Sequence, residues 1–310
     1  MSRTLRVATR GSAQAMKQSG AVAEALARRH PGLNVELVLV ETLGDMKADV
    51  PLHTIGGQGV FVKEVQRALL NGNAEIAVHS AKDLPSSNAV SREGFESFEG
   101  FEELRLAAFC ARRDPRDALV GASLAELQPG ATVATGSVRR SAQLAHVRPD
   151  LYFTELRGNI HTRLGKVPPG GALVMAVAAL QILELTDRIA EYLPVDPFVP
   201  SPGQGCVAVE CRVGDEWVAE LLADIDDPTT RAAVEAERAF LAELGSGCTL
   251  PVGAHVEHGG ENLIGFLARP EVGRVLIRRV TLAADKQSRL ASAAKLAREL
   301  YDELHEVAQQ

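Results

Sequence analysis

Aromatic side chains are scarce in this chain, at 4% of its 310 residues, and only four positions are cysteine. A core with so few rings is built from Ala, Val and Leu, and at this length it fills two or three domains. Cys110, Cys206, Cys211 and Cys248 show neither the CxxC spacing of a metal site nor the density of a disulfide scaffold, so free thiols are expected. No apolar run approaches the roughly 20 residues that cross a bilayer, and the opening MSRTLRVATR lacks a secretory apolar stretch, which makes the cytoplasm the expected compartment. A net charge of -7 disfavours nonspecific nucleic-acid binding, although arginines can still gather in one cleft. Internal sequence repeats and low-complexity tracts are lacking too.

What is present is an alternation of strand and helix patterns. LRVAT reads as a buried strand and RGSAQAMKQSGAVAEALARRH as a helix capped near Ser12; VELVLV, FVKEVQRALLNGN and AEIAVHS continue the alternation. RLAAFC, ATVAT, LYFTEL, ALVMAV and CVAVEC read as further strands, as in a largely parallel α/β sheet, and two such sheets fit. After two helical patterns between 216 and 245 the texture changes. AHVEH, NLIGFLA and RVLIRRVTLA followed by a helix from about 286 predict a smaller α+β domain. The expected division is 1–102 with 200–216 as a first domain, 103–199 as a second and 217–310 as a third. The glycines of 44–59 mark a hinged loop.

Three predicted strand ends carry polar and basic residues into a helix: Thr9-Arg10-Gly11-Ser12, His79-Ser80-Ala81-Lys82-Asp83 and Thr135-Gly136-Ser137-Val138-Arg139-Arg140. Ligands of open α/β sheets bind at such carboxyl ends, where helix amino termini offer N–H groups to anions. Arg157 and Arg163 in LRGNIHTRL add guanidinium donors suited to carboxylates, so the expected ligand carries several carboxylates or phosphates. Each motif alone also reads as a helix cap or a solvated face. Neither a phosphate loop nor a strand-linked GxGxxG is present. Asp83, beside Lys82 and before Leu84-Pro85, reads either as a turn aspartate or as a cleft acid. His79 reads as a strand histidine with no second metal ligand at a usual spacing. Cys248 differs from the other cysteines by lying in the loop Gly245-Ser246-Gly247-Cys248-Thr249.

TRGS, GGQGVFVKEVQ, AVHSAKDLP, TGSVRR, LRGNIHTRL, PGQGCVAVECR and ERAFLAELGSGC occur in that order, and together they closely resemble the porphobilinogen deaminase (hydroxymethylbilane synthase) family over nearly the whole chain. The resemblance implies two domains like type II periplasmic binding proteins and a third carrying a cysteine loop. It further implies a monomeric transferase of heme biosynthesis that joins porphobilinogen into hydroxymethylbilane on a dipyrromethane cofactor, thioether-linked to Cys248, with no membrane or nucleic-acid partner. Asp83 is then the catalytic acid. Lys82, Ser80, Thr135, Ser137, Arg139, Arg140, Arg157 and Gly158 hold the cofactor, and Arg10, Ser12, Phe61, Arg157 and Arg163 hold the substrate, with Lys63 near the cleft. The chain departs from the family at Gln58, Thr54 and Ile182, where basic residues are usual, and at SAQAMKQ in place of SPLALWQ. A charge-assisted contact contributes about 1.5 to 3 kcal/mol, so these losses predict weaker binding or slower elongation. A solute receptor and a poorly active relative are the competing readings.

Overall fold

The computed structural model describes residues 3–42, 62–85, 103–245 and 250–306. In chain order the elements are β1 (Thr4–Arg10), α1 (Ala13–Arg29), β2 (Asn34–Val40), α2 (Lys63–Leu70), β3 (Ile76–Ser80), β4 (Leu104–Phe109), β5 (Asp117–Val120), β6 (Thr132–Ala134), α3 (Val138–Val147) and β7 (Tyr152–Thr154). There follow α4 (Ile160–Leu164), β8 (Ala172–Ala176), α5 (Val177–Ile182), β9 (Ile189–Tyr192), β10 (Val207–Arg212), α6 (Glu216–Ala223) and α7 (Pro228–Glu243). The last elements are β11 (Val252–Val256), β12 (Asn262–Arg269), β13 (Arg274–Thr281) and α8 (Lys286–Glu306). The chain divides into two compact units, 1–112 with 206–231 and 113–205 with 232–310.

The first unit holds a five-stranded sheet in the order β2-β1-β3-β10-β4. Successive side chains of a strand point to opposite faces, and β1 uses both. Leu5 and Val7 meet Val22 and Leu26 of α1 and Val218, Leu221 and Leu222 of α6, whereas Ala8 meets Val65, Ala68 and Leu69 of α2. Covering both faces explains why β3 opens on an unbroken apolar run, Ile76-Ala77-Val78, rather than an alternating one. α1 begins where Ser12 Oγ accepts from Ala15 N, and it ends with Arg28 and Arg29, whose charge suits the carboxyl end of a helix dipole.

In the second unit a five-stranded sheet runs β7-β6-β8-β5-β9. Here β6 pairs in parallel with β7 and β8, while β5 is antiparallel to β8 and β9. β1, β2 and β3 of the first sheet stand in the same relation, with β10 as the antiparallel insert. The connectivity therefore repeats although the sequence does not, and it is that of a type II periplasmic-binding-protein domain. The same unit carries the antiparallel sheet β11-β12-β13, whose apolar face packs Leu263 and Leu267 against Phe240 of α7 and Leu296, Leu300 and Leu304 of α8. Its other face meets the second sheet's layer through Ile264, Phe266 and Ala268 against Ala142 of α3 and Val199.

The expected domain boundaries shift. β4, placed by the sequence at the start of the second domain, is hydrogen-bonded to β10 and completes the first sheet. α6, expected in the third domain, belongs to the first core because Val218, Leu221 and Leu222 bury their stripe there. Residues 200–205 belong to the second unit, and the α+β segment is packed within that unit.

Candidate active site

In the first unit the carboxyl ends of β1 and β3 lie side by side, since the two strands pair in parallel. Around them opens a small recess, lined among others by Arg10, Ser12, Gln14, Gln18, Ser80 and Asp83. A 3₁₀ turn, Ala81–Asp83, continues β3 and brings Asp83 to the recess with its side chain exposed, while Lys82 of the same turn is half-buried. Ser80 is held by Gln18, whose amide Nε2 donates to Ser80 Oγ at 3.1 Å. Behind it, Ser19 Oγ donates to Thr9 Oγ1 at 2.7 Å in the buried interior. These fixed hydroxyls and amides make the wall stiff, which preorganised binding requires.

Equivalent strand ends in the second unit collect most of the remaining predicted residues. Thr135 follows β6, and its Oγ1 accepts from Ser137 N at 3.2 Å. Ser137 in turn caps α3, accepting from Arg140 N. Gly136 cannot carry a side chain: a Cβ there would stand 2.9 Å from the carbonyl oxygen of Leu156, so the 135–137 turn lies directly on the loop after β7. On that loop Gly158 adopts a φ of 109°, which side-chain-bearing residues rarely do, and Arg163 Nε donates to its carbonyl at 2.7 Å. Arg157 Nε donates to Glu155 at 2.8 Å.

Arg139 and Arg140 meet on one carboxylate. Arg139 Nη2 donates to Asp117 Oδ2 at 2.7 Å, and Arg140 Nη2 donates to Oδ1 at 2.7 Å. Burial by itself would raise the pKa of Asp117, but the two guanidiniums override it and hold the carboxyl well below the usual carboxylate range. Burial pulls Arg139 below its ordinary value, with Asp117 opposing that shift.

Each unit thus gathers its own share of the predicted residues: Arg10, Ser12, Ser80 and Asp83 in the first, and Thr135, Ser137, Arg139, Arg140, Arg157, Gly158 and Arg163 in the second. Phe61, Cys248, Gln58 and Thr54 lie outside the described residues. Ile182 closes α5 and Lys63 opens α2. Gln14, Gln18, Asp117 and Gln204 escaped the sequence reading. Gln204 sits inside the quoted PGQG motif, and its Nε2 donates to Asp117 Oδ1 at 2.9 Å. Cys110, Cys206 and Cys211 are free thiols, and burial pushes Cys110 up to about 11. Among the described residues no cluster of three His, Cys, Asp or Glu could hold a metal ion, and no helix is long and apolar enough to cross a membrane.

The family profile described as "Porphobilinogen deaminase, dipyromethane cofactor binding domain" matches residues 5–220, and "Porphobilinogen deaminase, C-terminal domain" matches 231–305. The chain belongs to the porphobilinogen deaminase family. A porphobilinogen deaminase of Syntrophotalea carbinolica is 44% identical over 306 residues, covering 96% of this chain and 93% of the relative. One from Acidothermus cellulolyticus is 48% identical over 259 residues, 81% of this chain and 74% of its own length. Among solved structures, a TRAP periplasmic solute binding protein from Desulfovibrio salexigens aligns with a TM-score of 0.42 at 14% identity, covering 78% of this chain and 77% of that one. For a porphobilinogen deaminase the donor set makes chemical sense. Guanidiniums, capping hydroxyls and a half-buried lysine suit a cofactor and substrate that carry several carboxylates each.

Proposed function

We propose that this chain condenses four molecules of porphobilinogen head to tail, expels ammonia at each addition and releases hydroxymethylbilane. The observation that carries the reading is the placing of Asp83 on one recess with Arg10, Ser12 and Ser80 in a chain of this family. Arg10 and the capping Ser12 bind the acetate and propionate groups of the incoming pyrrole. Asp83 faces the aminomethyl carbon. Its carboxylate stabilises the cation left when the carbon–nitrogen bond breaks and the electron pair leaves with ammonia. The same oxygens then accept the proton released from the attacked pyrrole carbon once the new carbon–carbon bond has formed, and pass it on to ammonia.

Ser137, Arg140 and Arg157 would hold the dipyrromethane through its carboxylates, with Cys248 as its thioether anchor and Thr135 and Gly158 shaping the turns that carry them, while Ser80 and Lys82 adjoin Asp83 in the first unit. When bound, that group supplies the primer to which substrate units are joined. Arg139 serves by holding Asp117 rather than by meeting the ligand. The enzyme works in the cytoplasm as a monomer.

Intact-protein mass spectrometry tests the reading. The purified chain is expected to carry a mass increment of two pyrrole units that maps to Cys248 on digestion. A bare sequence mass that persists after incubation with porphobilinogen would overturn it.

A further inference from the structure

Asp117 opens β5 with 1% of its side chain exposed, and it is surrounded by three donor residues from two separate stretches of the second unit. Oδ1 accepts from Arg140 Nε at 3.1 Å, from Arg140 Nη2 at 2.7 Å and from Gln204 Nε2 at 2.9 Å, while Oδ2 accepts from Arg139 Nη2 at 2.7 Å. The two guanidiniums differ in what else they touch. Arg139 Nη1 donates inward to Val199 O at 2.7 Å and to Gln143 Oε1 at 3.2 Å, which makes it a brace within the core. Arg140 Nη1 donates to Val174 O at 3.2 Å, on the neighbouring strand β8. A guanidinium has five N–H donors. Asp117 and Val174 take three of Arg140's, so among the described residues two remain on a side chain that is 11% exposed. One carboxylate between two guanidiniums leaves the trio a single net positive charge.

We propose that Asp117 is the positioning residue of the second unit's anion site, gripping one edge of Arg140 so that its remaining donors meet a single ligand carboxylate, with Arg139 and Gln204 fixing the grip. Arg139 and Arg140, adjacent in sequence, thereby divide the work into brace and binder. The inference rests on the activity proposed above, because Arg140 matters only if the site takes a carboxylated ligand. A buried carboxylate aims a guanidinium more firmly than solvent does, since the planar fork is pre-organised and its charge is unscreened.

The test uses the full chain with Asp117→Asn, Asp117→Glu and Gln204→Leu, each measured for the fraction carrying the two-pyrrole adduct, turnover per loaded molecule and thermal midpoint, and, with Cys248→Ala added so that no adduct fills the site, for binding of benzene-1,3,5-tricarboxylate by calorimetry. A mis-aimed Arg140 lowers the loaded fraction about tenfold or more in Asp117→Asn while kcat per loaded molecule stays within about threefold, and weakens the tricarboxylate to a similar extent. Asp117→Glu recovers part of both losses. Gln204→Leu, which keeps both ion pairs, shifts loading and affinity the same way by a smaller factor and serves if Asp117→Asn fails to fold. Lower thermal midpoints with unchanged loading and unchanged tricarboxylate affinity would reduce Asp117 to a structural ion pair and overturn the proposal. If the unaltered chain neither carries the pyrrole adduct nor turns over porphobilinogen, the activity reading fails. The tricarboxylate comparison still decides the positioning role.

Discussion

Nε2 of His79 lies 2.9 Å from Oε2 of Glu210, and both side chains are buried beside the strand end that carries Ser80. Gln66 Nε2 donates to both Glu210 oxygens at 3.0 Å from α2, so one carboxylate ties β3, β10 and a helix together. Removing one member of a buried pair leaves the other without compensation. Glu210→Ala is therefore expected to destabilise the protein by about 3 kcal/mol or more, measured by urea denaturation. A loss below about 1 kcal/mol would show that water takes over the role of Glu210.

Replacing Asp83 by Asn keeps the shape of the side chain and removes its charge and basicity. Turnover is expected to fall by about 10²- to 10⁴-fold, the range of a lost general acid–base group, with the thermal midpoint unchanged because the side chain is exposed. Near-normal production of hydroxymethylbilane by Asp83→Asn contradicts its assigned role.

Acid sensitivity follows from Asp117. Its folded pKa lies below its unfolded one, so its stabilisation is complete above the unfolded value of about 3.9 and is lost as pH falls from there through the lower folded value. Unfolding free energy measured from pH 5 to pH 2 is expected to drop more steeply in the natural chain than in Asp117→Asn. Parallel curves would remove Asp117 from the account of acid unfolding.

The turn at Gly136 makes a steric prediction. A methyl group at this position presses on Leu156 O, and backbone on both sides has to move, so Gly136→Ala is expected to cost about 1 to 3 kcal/mol. Because the two loops carry Ser137 and Arg157, KM for porphobilinogen should rise with the loss of stability. An unchanged melting temperature would mean the loops separate freely.

Thiol chemistry provides an independent check. With its pKa pushed up to about 11, Cys110 exposes little thiolate at pH 8. Alkylation by iodoacetamide is expected to be slower than for an unperturbed cysteine by about a hundredfold, read by peptide mass spectrometry. Rapid labelling of Cys110 under native conditions would indicate local opening of the strand end at 110.

Much of this was legible in the sequence because it is locally encoded. LRVAT and AEIAVHS became the buried strands β1 and β3 and VELVLV the exposed edge strand β2, since short apolar and β-branched runs favour extended backbone, and Ser12 and Ser137 were placed by the capping rule. β5 and β9 were missed. Each has four residues, and DALV and IAEY become strands through antiparallel partners distant in sequence. The first boundary falls beyond β4 for the same reason, because the partner that ties β4 to the first sheet, β10, lies far along the chain. Within the site, local patterns revealed which residues bear charge but not which charges meet. Asp117 in DPRDA and Gln204 in PGQG carry no local pattern that points to the arginines, and only the fold brings them together.

The repeated strand order has an evolutionary bearing. Two copies of one scaffold meet their shared architectural demands with matching Gly-Ser turns after β1 and β6, yet they diverge after the third strand of each. Where β3 runs into the turn bearing Asp83, β8 runs into the apolar helix Val177–Ile182. Among the described residues the repeated strand order thus presents a carboxylate at one of two matching strand ends, so on the reading proposed above proton transfer is expected to fall to the first unit alone.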